Sequence, residues 1–251
     1  MDIQTGPTQK APRIIVYGEA GVGKTYFGNS AKNPIFIQTE EGANVLGPDR
    51  FPLAESFEDL MGAVKQLSEE DHKYKTVVVD SLDWAEHLIH KEVCRAENVP
   101  NIEKIPYAKG MVFALEFWRQ FLDGLNSLRD QKKMCVLMLA HSQVKNFADP
   151  ENIPYDRYEI KLNKHASSLV RENADIIGFA HFRMNVQEID SGFGKKVNRA
   201  VGAGERELCL SPRPAWLAKS RYPVPDTIDL SWSELMSCIN KGLKELEKKN
   251  D

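Results

Sequence analysis

Eight residues near the start of the chain carry the strongest chemical signal in the sequence. They match the pattern G-x-x-x-x-G-K-[ST], follow the apolar segment Arg13–Tyr17 and precede sequence that favours a helix. Glycines let successive backbone N–H groups turn towards phosphates, and the N-terminus of the following helix adds partial positive charge. In such a loop Lys24 bridges the β- and γ-phosphates and the Thr25 hydroxyl coordinates Mg²⁺. The predicted nucleotide-binding residues are Gly18, Glu19, Ala20, Gly21, Val22, Gly23, Lys24, Thr25 and Tyr26.

A carboxylate at the end of another apolar segment completes the predicted Mg²⁺ site. Thr76–Asp80 reads as four β-branched residues followed by an acid, which is a Walker B pattern. At the end of a buried strand beside the phosphate loop, Asp80 would hold the water shell of Mg²⁺. Many strands also end in an Asp that caps the next helix, and the phosphate loop upstream favours the metal role here. Asp83 is interpreted as a carboxylate of the following helical turn and not as a ligand.

Two acids follow the apolar segment Ile35–Gln38 and are candidates for activating water. Hydrolysis needs a group that orients or deprotonates the attacking water, and a carboxylate at the tip of the strand beside the phosphate-loop strand faces the γ-phosphate. Glu40 and Glu41 both stand at such a tip. Two solvated loop acids are the alternative interpretation, because acidic side chains are common in loops.

Together these motifs resemble the RecA-type P-loop ATPases, and the small RecA-like proteins of bacteriophages in particular. The resemblance implies ATP and Mg²⁺ as ligands and places the catalytic base on Glu40, with Glu41 as the alternative. It also places a γ-phosphate sensor on Gln143, at the end of the fourth β-rich run. His141 is the rival sensor, and a buried structural histidine is the alternative to that.

A late K-x-R triplet extends the resemblance. Residues i and i+2 of a strand project to one face, so Lys219 and Arg221 can address one phosphate group. In RecA-type filaments two basic residues with this spacing reach the ATP of a neighbouring subunit. The resemblance therefore implies a homo-oligomer with ATP at its subunit interfaces. An ordinary basic strand end is the alternative, because cations are mostly surface residues.

The segment after the fourth β-rich run is a candidate DNA-binding loop. By the same resemblance, Val144 to Lys164 stands where the family has its first DNA loop, and Asn163 to Arg171 resembles the second. Cations interspersed with aromatic rings suit single-stranded DNA, whose bases stack while cations follow the phosphates. Acids in the same segment dilute its charge, so a solvated loop is the alternative. The candidate residues are Lys145, Phe147, Tyr155, Arg157, Tyr158, Lys161, Lys164 and His165.

The elements that must position these residues follow from the hydrophobic pattern. Four β-rich runs, at 13–17, 35–38, 76–80 and 134–141, are separated by segments long enough for crossover helices. This pattern predicts an α/β fold, a RecA-like P-loop core with a mostly parallel, doubly wound sheet. Two further β-patterned runs around Ser191–Gly194 predict an antiparallel hairpin at one edge of the sheet. We expect a loose tail over residues 1–12 and a single domain over 13–251 that ends in a helix beginning near Ser231.

Composition narrows the class of protein. The 251 residues are 42% hydrophobic and 27% charged, and a formal net charge of −3 leaves no protein-wide positive field to attract DNA. The sequence has no apolar run of membrane-spanning length and no signal-peptide pattern, which predicts a cytoplasmic protein, in the host cytoplasm if phage-encoded, without a membrane partner. Four scattered cysteines indicate no disulfide framework or zinc knuckle. His87, His90 and Cys94 share a helical face, although no fourth metal ligand is apparent nearby.

The predicted function is a DNA-dependent ATPase that binds single-stranded DNA and promotes annealing or strand exchange in phage recombination, alongside a single-strand DNA-binding protein. A non-enzymatic ATP-gated adaptor or loader is the first alternative, and it would not need Glu40. A small-molecule kinase is the second alternative. It would need an Arg-rich lid over the phosphates, and the sequence has no Arg cluster of that kind.

Overall fold

Alternating β-rich and amphipathic segments build a three-layer α/β fold in the computed structural model of the protein. The structure describes residues 10–42, 46–149, 153–183, 185–190, 196–201 and 204–250. The strands are β1 (Arg13–Gly18), β2 (Pro34–Gln38), β3 (Thr76–Asp80), β4 (Cys135–Phe147), β5 (Tyr155–Ile160), β6 (Ile176–Phe182), β7 (Asn185–Asp190), β8 (Lys196–Val201), β9 (Arg206–Cys209), β10 (Lys219–Ser220) and β11 (Thr227–Asp229). The helices are α1 (Lys24–Asn29), α2 (Phe57–Glu69), α3 (Leu82–Ala96), α4 (Gly110–Gln131), α5 (Lys164–Asn173) and α6 (Trp232–Asn250).

The main sheet is parallel at its centre and antiparallel towards one edge. Within the described residues its order is β11-β9-β6-β1-β4-β3-β2, with β10 paired to β6 and β5 paired to β4. β1 lies between two parallel neighbours, so that Gly18 is opposite His141 on one side and Ala180 on the other. Parallel strands bring their carboxyl ends to one edge, where open α/β sheets bind ligands. The predicted fold class is confirmed.

Helices cover both faces of the sheet. One face packs against α2, α3, α4 and α5 and buries Trp118 and Phe121. The other packs against α1 and α6, where the rings of Phe27 and Trp232 meet edge-on with centroids 5.6 Å apart. Because both faces are covered, all of Thr76–Asp80 is buried, as expected for a central parallel strand. None of the described helices combines the length and apolar character needed to cross a membrane.

The segment predicted as a loop after the fourth β-rich run is instead largely a two-stranded ribbon. β4 continues to Phe147, and β5 pairs with it antiparallel, with Gln143 opposite Glu159 and Phe147 opposite Tyr155. The prediction of a loop was wrong because the polarity of the segment outweighed its alternating pattern. Both faces of the ribbon mix polar with apolar residues, so the segment contains no apolar run. Residues 150–152, between the two strands, lie outside the described residues.

The predicted antiparallel hairpin forms, and it stands apart from the main sheet. β7 and β8 pair with each other from Asn185 opposite Val201 to Asp190 opposite Lys196. The hairpin follows directly on β6 and β9, whose last pair is Phe182 opposite Arg206. The antiparallel edge of the main sheet is formed by β9 and β11. The predicted turn at 191–194 lies outside the described residues.

The N-terminal segment contacts the domain from residue 10 onwards, where Lys10 pairs with Asp130. Arg129 Nε donates to the Ala11 carbonyl at 2.6 Å, and the Val136 amide donates to the Pro12 carbonyl at 3.1 Å. Most of the tail predicted over 1–12 falls on residues 1–9, which lie outside the described residues.

A single buried carboxylate joins elements at the amino ends of the central strands. Asp175, whose side chain is 6% exposed, accepts hydrogen bonds from the Arg13 side chain at 2.9 Å and from Arg221 at 2.9 Å. Arg129 Nη2 lies 3.6 Å from the same carboxylate. Burial raises the pKa of Asp175, and hydrogen bonds from Arg13 with the charge of Arg129 outweigh burial, so the pKa lies below its usual value.

Asp175→Asn should lower the free energy of unfolding at pH 7 by about 2 to 4 kcal/mol, because three arginines lose a buried counter-charge. The folded-state pKa of Asp175 is depressed, so its stabilisation is present above the unfolded pKa of about 3.9 and is lost as the pH falls through the folded pKa. Urea denaturation should therefore show the two proteins converging in acid. Asp130→Asn removes an exposed ion pair with Lys10 and should leave the free energy of unfolding nearly unchanged. Equal losses in the two variants would contradict this account.

Candidate functional site

The phosphate-loop motif forms the connection between β1 and α1. Gly18 ends β1, and a Cβ atom there would lie 2.2 Å from the Ala180 carbonyl oxygen, so only glycine fits. Gly21 and Gly23 adopt φ angles of +79° and +102°, in the left-handed region that favours glycine. Gly23 is the N-cap of α1, which begins at Lys24. The loop therefore has the glycine-dependent backbone conformation with which a phosphate loop leads into a helix.

Lys24 is buried inside the loop. Its side chain is 6% exposed, and its ammonium donates to the carbonyls of Gly18 at 3.0 Å and Glu19 at 2.9 Å. Burial lowers the pKa of Lys24, and the carboxylates of Asp80, Asp83 and Glu40 oppose that change. Most other residues of the motif stay accessible: Glu19, Ala20, Gly21 and Tyr26 are exposed and Gly23 is half-buried, whereas Val22 packs in the core.

Asp80 and Thr25 meet directly across the loop. The Thr25 hydroxyl donates to Asp80 Oδ2 at 2.9 Å, and the Asp80 side chain is only 4% exposed. Burial, together with the nearby charge of Glu40, raises the pKa of Asp80 to about 6 against the opposing hydrogen bond from Thr25. A hydroxyl beside a carboxylate is a donor set that suits Mg²⁺. A divalent cation here would offset the acidic charge that the site concentrates.

The expectation that Glu40 ends a strand beside the phosphate-loop strand was wrong, because β4 and β3 separate β2 from β1. The ends of β2 and β3 are instead tied together and place Glu40 at the mouth of the site. The Thr39 amide donates to the Asp80 carbonyl at 2.8 Å, the Thr39 hydroxyl donates to the Ser81 carbonyl at 2.7 Å, and the Ser81 amide donates to the Thr39 hydroxyl at 2.7 Å. Glu40 follows directly and is 25% exposed, with Oε1 3.9 Å from His141 Nδ1. Glu41 is exposed and lines a surface groove with Asp49. The structure thus groups Glu40, and not Glu41, with Lys24 and Asp80.

His141 is held by Asp83, which from the sequence is interpreted only as a carboxylate of a helical turn. Asp83 is buried and accepts from the His141 amide at 3.0 Å, and His141 Nδ1 lies 3.0 Å from Asp83 Oδ2. Burial raises the pKa of Asp83, and the hydrogen bonds from His141 overcome this and hold it below its usual value. Since a carboxylate accepts, Nδ1 carries the proton. The pairing of β1 with β4 puts His141 opposite Gly18, and Asp83 orients the His141 ring there.

Gln143 lies two residues further along β4, at the base of the β4–β5 ribbon. Its side-chain amide donates to the carbonyls of Ile160 at 2.9 Å and Leu162 at 3.3 Å. Glu86, on α3, accepts from the Asn163 amide with both carboxylate oxygens, at 3.1 and 3.0 Å. Burial raises the pKa of Glu86 to about 7. These bonds attach the end of the ribbon to the strand and helix that carry His141 and Asp83.

Lys219 and Arg221 lie at the amino ends of the central strands, whereas the phosphate loop of their own chain lies at the carboxyl ends. β10 pairs with the start of β6, Lys219 opposite Ile177. Lys219 Nζ donates to the carbonyls of Arg171 and Ala174 at 2.9 and 2.7 Å, and Arg221 binds Asp175. Within one chain both cations therefore hold the amino ends of the strands together. Their action on a neighbouring subunit stays a prediction.

Sequence reasoning missed Arg206, which contacts the phosphate loop from β9. A Cβ atom at Gly23 would lie 2.7 Å from Arg206 Nη1, so the glycine makes room for the guanidinium. The guanidinium carbon also lies 5.7 Å from the ring centroid of Phe182. In the described part of the chain no carboxylate forms an ion pair with Arg206. No local pattern reveals this contact, because 183 positions separate Gly23 from Arg206 and only the sheet order brings them together.

The site combines a phosphate cradle, a buried ammonium, a hydroxyl–carboxylate pair and a partly exposed carboxylate. Amides, the ammonium and a guanidinium suit a polyphosphate, whose negative charge would also offset the burial of Lys24. Thr25 and Asp80 suit Mg²⁺, and Glu40 is accessible enough to meet a water molecule. The residues therefore fit a nucleoside triphosphate with its metal ion, and they suit the transfer of its terminal phosphoryl group to water.

Comparisons with known proteins agree with this geometry. A family model described as an AAA domain matches residues 10–222 of this chain. The SPbeta prophage-derived uncharacterized protein YorG of Bacillus subtilis (strain 168) is 29% identical over 94 residues. Those residues cover 36% of this chain and 29% of that protein, so the match spans less than a third of the relative.

Arg206→Ala should weaken ATP binding by about tenfold or more, because a charge-assisted contact to phosphate contributes about 1.5 to 3 kcal/mol. The affinity is measured by calorimetric titration of the purified protein with ATP and Mg²⁺. Arg213→Ala is the matched control, since Arg213 is exposed, lies beyond the other end of β9 and pairs with Asp226. Wild-type affinity in the Arg206 variant would show that its contact with Gly23 has no role in binding phosphate.

Proposed function

This chain belongs to the AAA domain family of P-loop ATPases, and from that premise we propose that it hydrolyses ATP while acting on single-stranded DNA. The finer assignment is a RecA-like protein of phage recombination that promotes annealing or strand exchange. The observation that carries the proposal is the convergence of Lys24, the Thr25–Asp80 pair and Glu40 at one edge of the sheet.

Each residue of this group has a role in hydrolysis that its surroundings support. Lys24 and the loop amides bind the phosphates, and Thr25 with Asp80 holds Mg²⁺, which neutralises phosphate charge when bound. Glu40 accepts a proton from the attacking water, because it is the partly exposed acid beside Lys24 and Asp80, whereas Asp83 is buried. Asp83 keeps His141 beside Glu40. Gln143, two residues further along β4, connects this group to the ribbon through its hydrogen bonds to the Ile160 and Leu162 carbonyls.

One face of the β4–β5 ribbon supports a role in binding single-stranded DNA. Lys145 is opposite Arg157 and Phe147 is opposite Tyr155, so two cations and two rings share this face. The rings of Phe147 and Tyr155 have centroids 5.5 Å apart, and the Arg157 guanidinium lies 4.0 Å from the Phe147 centroid. Stacked rings with cations between them suit bases and phosphates of a single strand. Glu159 on the same face pairs with Arg157 and lowers the positive charge.

The remaining partners rest on similarity and on spacing. The relative named as prophage-derived supports a phage setting. We include in the proposal a homo-oligomer in which Lys219 and Arg221 reach the ATP of a neighbour, and a single-strand DNA-binding protein that delivers the substrate. A basic side chain supplied in trans raises the rate of phosphoryl transfer by about 10³ to 10⁵ in other P-loop enzymes.

The test is ATP turnover by the purified protein with and without single-stranded DNA. Wild type should hydrolyse ATP faster with DNA, and Glu40→Gln should bind ATP normally and lose at least about 100-fold in turnover, since general base catalysis contributes about 10² to 10⁴. Glu41→Gln is the matched control and should keep turnover.

Two outcomes would redirect the proposal. If wild type binds ATP and turns it over no faster than Glu40→Gln, the protein is an ATP-gated adaptor or loader. If turnover depends on Glu40 and the protein neither binds nor responds to single-stranded DNA, the ATPase assignment stands and the DNA role is wrong.

A further inference from the structure

A second cluster of chemically active side chains lies at the junction of the main sheet and the β7–β8 hairpin. We propose that His181, Glu207 and Cys209 bind a divalent transition metal ion of the Zn²⁺ class. His181 comes from the end of β6, and the other two residues come from β9. The site is separate from the Thr25–Asp80 pair and does not depend on the proposed ATPase function.

The distances within the cluster match a tetrahedral ion. Cys209 Sγ lies 3.3 Å from His181 Nε2, and His181 Nε2 lies 3.6 Å from Glu207 Oε2. One ligand atom from each residue lies within 4.8 Å of the other two. With metal bonds of about 2.3 Å to sulfur and about 2.0 to 2.1 Å to nitrogen and oxygen, tetrahedral geometry separates sulfur from nitrogen by about 3.5 Å and nitrogen from oxygen by about 3.4 Å. The sulfur–nitrogen and nitrogen–oxygen distances therefore each lie within about 0.2 Å of their tetrahedral values.

The protonation state of His181 also suits a metal ligand. His181 Nδ1 lies 2.9 Å from the Phe182 carbonyl oxygen. A carbonyl can only accept, so Nδ1 carries a proton, and in the neutral ring Nε2 presents a lone pair to Cys209 and Glu207. A histidine that binds metal through one nitrogen commonly donates the other N–H to a backbone carbonyl in this way.

Neighbouring groups hold the three side chains in place before any ion binds. His181 is directly opposite Glu207 in the β6–β9 pair, and Cys209, two residues further, shares that face of the strand. The His181 ring stacks on Phe179 with centroids 5.3 Å apart and lies against Trp216 at 5.7 Å. Arg183 pairs with Glu207 Oε1, which leaves Oε2 directed at His181.

The donor set indicates which ion fits. A thiolate, an imidazole and a carboxylate favour Zn²⁺ or Co²⁺ over Mg²⁺ and Ca²⁺, which prefer oxygen ligands. His181 and Glu207 are partly exposed, so water can occupy a fourth position. The ion would join β6 to β9 beside Ala180, the residue that packs against Gly18 of the phosphate loop. His87, His90 and Cys94 do not converge into such a cluster within the described residues.

Titration of the metal-free full-length protein with Co²⁺ tests the proposal, because a thiolate bound to Co²⁺ gives a charge-transfer band in the near ultraviolet. Wild type should bind about one equivalent with this band, and Cys209→Ser should lose the band and bind at least about tenfold more weakly. Cys238→Ser, which removes a more exposed thiol on α6 and leaves the cluster intact, should behave as wild type. Glu207→Gln keeps the thiol and should retain the band with weaker binding.

Excess Mg²⁺ should leave the band unchanged, and Asp80→Asn should too, because neither change touches this cluster. Absence of the band in wild type, or its persistence in a folded Cys209→Ser protein, would overturn the proposal. In the first case the 3.3 Å contact is a thiol hydrogen bond to His181. Circular dichroism checks that each variant is folded.

Discussion

The ammonium of Lys24 is buried with hydrogen bonds to two backbone carbonyls, and the other elements at this edge of the sheet are arranged around it. Removing a charge from water is costly unless opposite charge and hydrogen bonds compensate. Here Asp80, Asp83 and Glu40 compensate in part, and two of these acids are themselves buried. The same burial lowers the pKa of Lys24 and raises that of Asp80 to about 6. A polyphosphate with a divalent cation would supply both missing charges.

The need to compensate the buried charge of Lys24 is met by the strand ends that the sheet order brings together. The phosphate loop follows β1, the metal-binding carboxylate ends β3, and the acid at the mouth follows β2, so parallel pairing brings them to one edge. β4 lies between β1 and β3 and carries His141 to the same edge before it continues as the ribbon. The hydrogen bonds of Gln143 to the Ile160 and Leu162 carbonyls give the ribbon a direct connection to the site.

The features that could be predicted from the sequence are those that a short stretch of residues determines by itself. The phosphate loop, the acid at the end of β3 and the first four strands follow from apolar runs and glycine spacing within short windows. The β4–β5 ribbon was missed because both of its faces mix polar with apolar residues, so period-two alternation did not stand out from loop composition. The short strands β9, β10 and β11 are defined by pairing with distant segments, which leaves little local signal. Arg206 and the cluster of His181, Glu207 and Cys209 depend on that pairing, so no spacing in the sequence could have indicated them.

The central claim is that the loop around Lys24 is a nucleotide site, and calorimetric titration with ATP and Mg²⁺ tests it most directly. Wild type should bind ATP, and Lys24→Ala should reduce the affinity by about 100-fold, which corresponds to about 3 kcal/mol of lost charge-assisted hydrogen bonding. Lys32→Ala removes an exposed lysine just beyond α1 and should leave the affinity unchanged. Equal affinities in the three folded proteins would contradict the account.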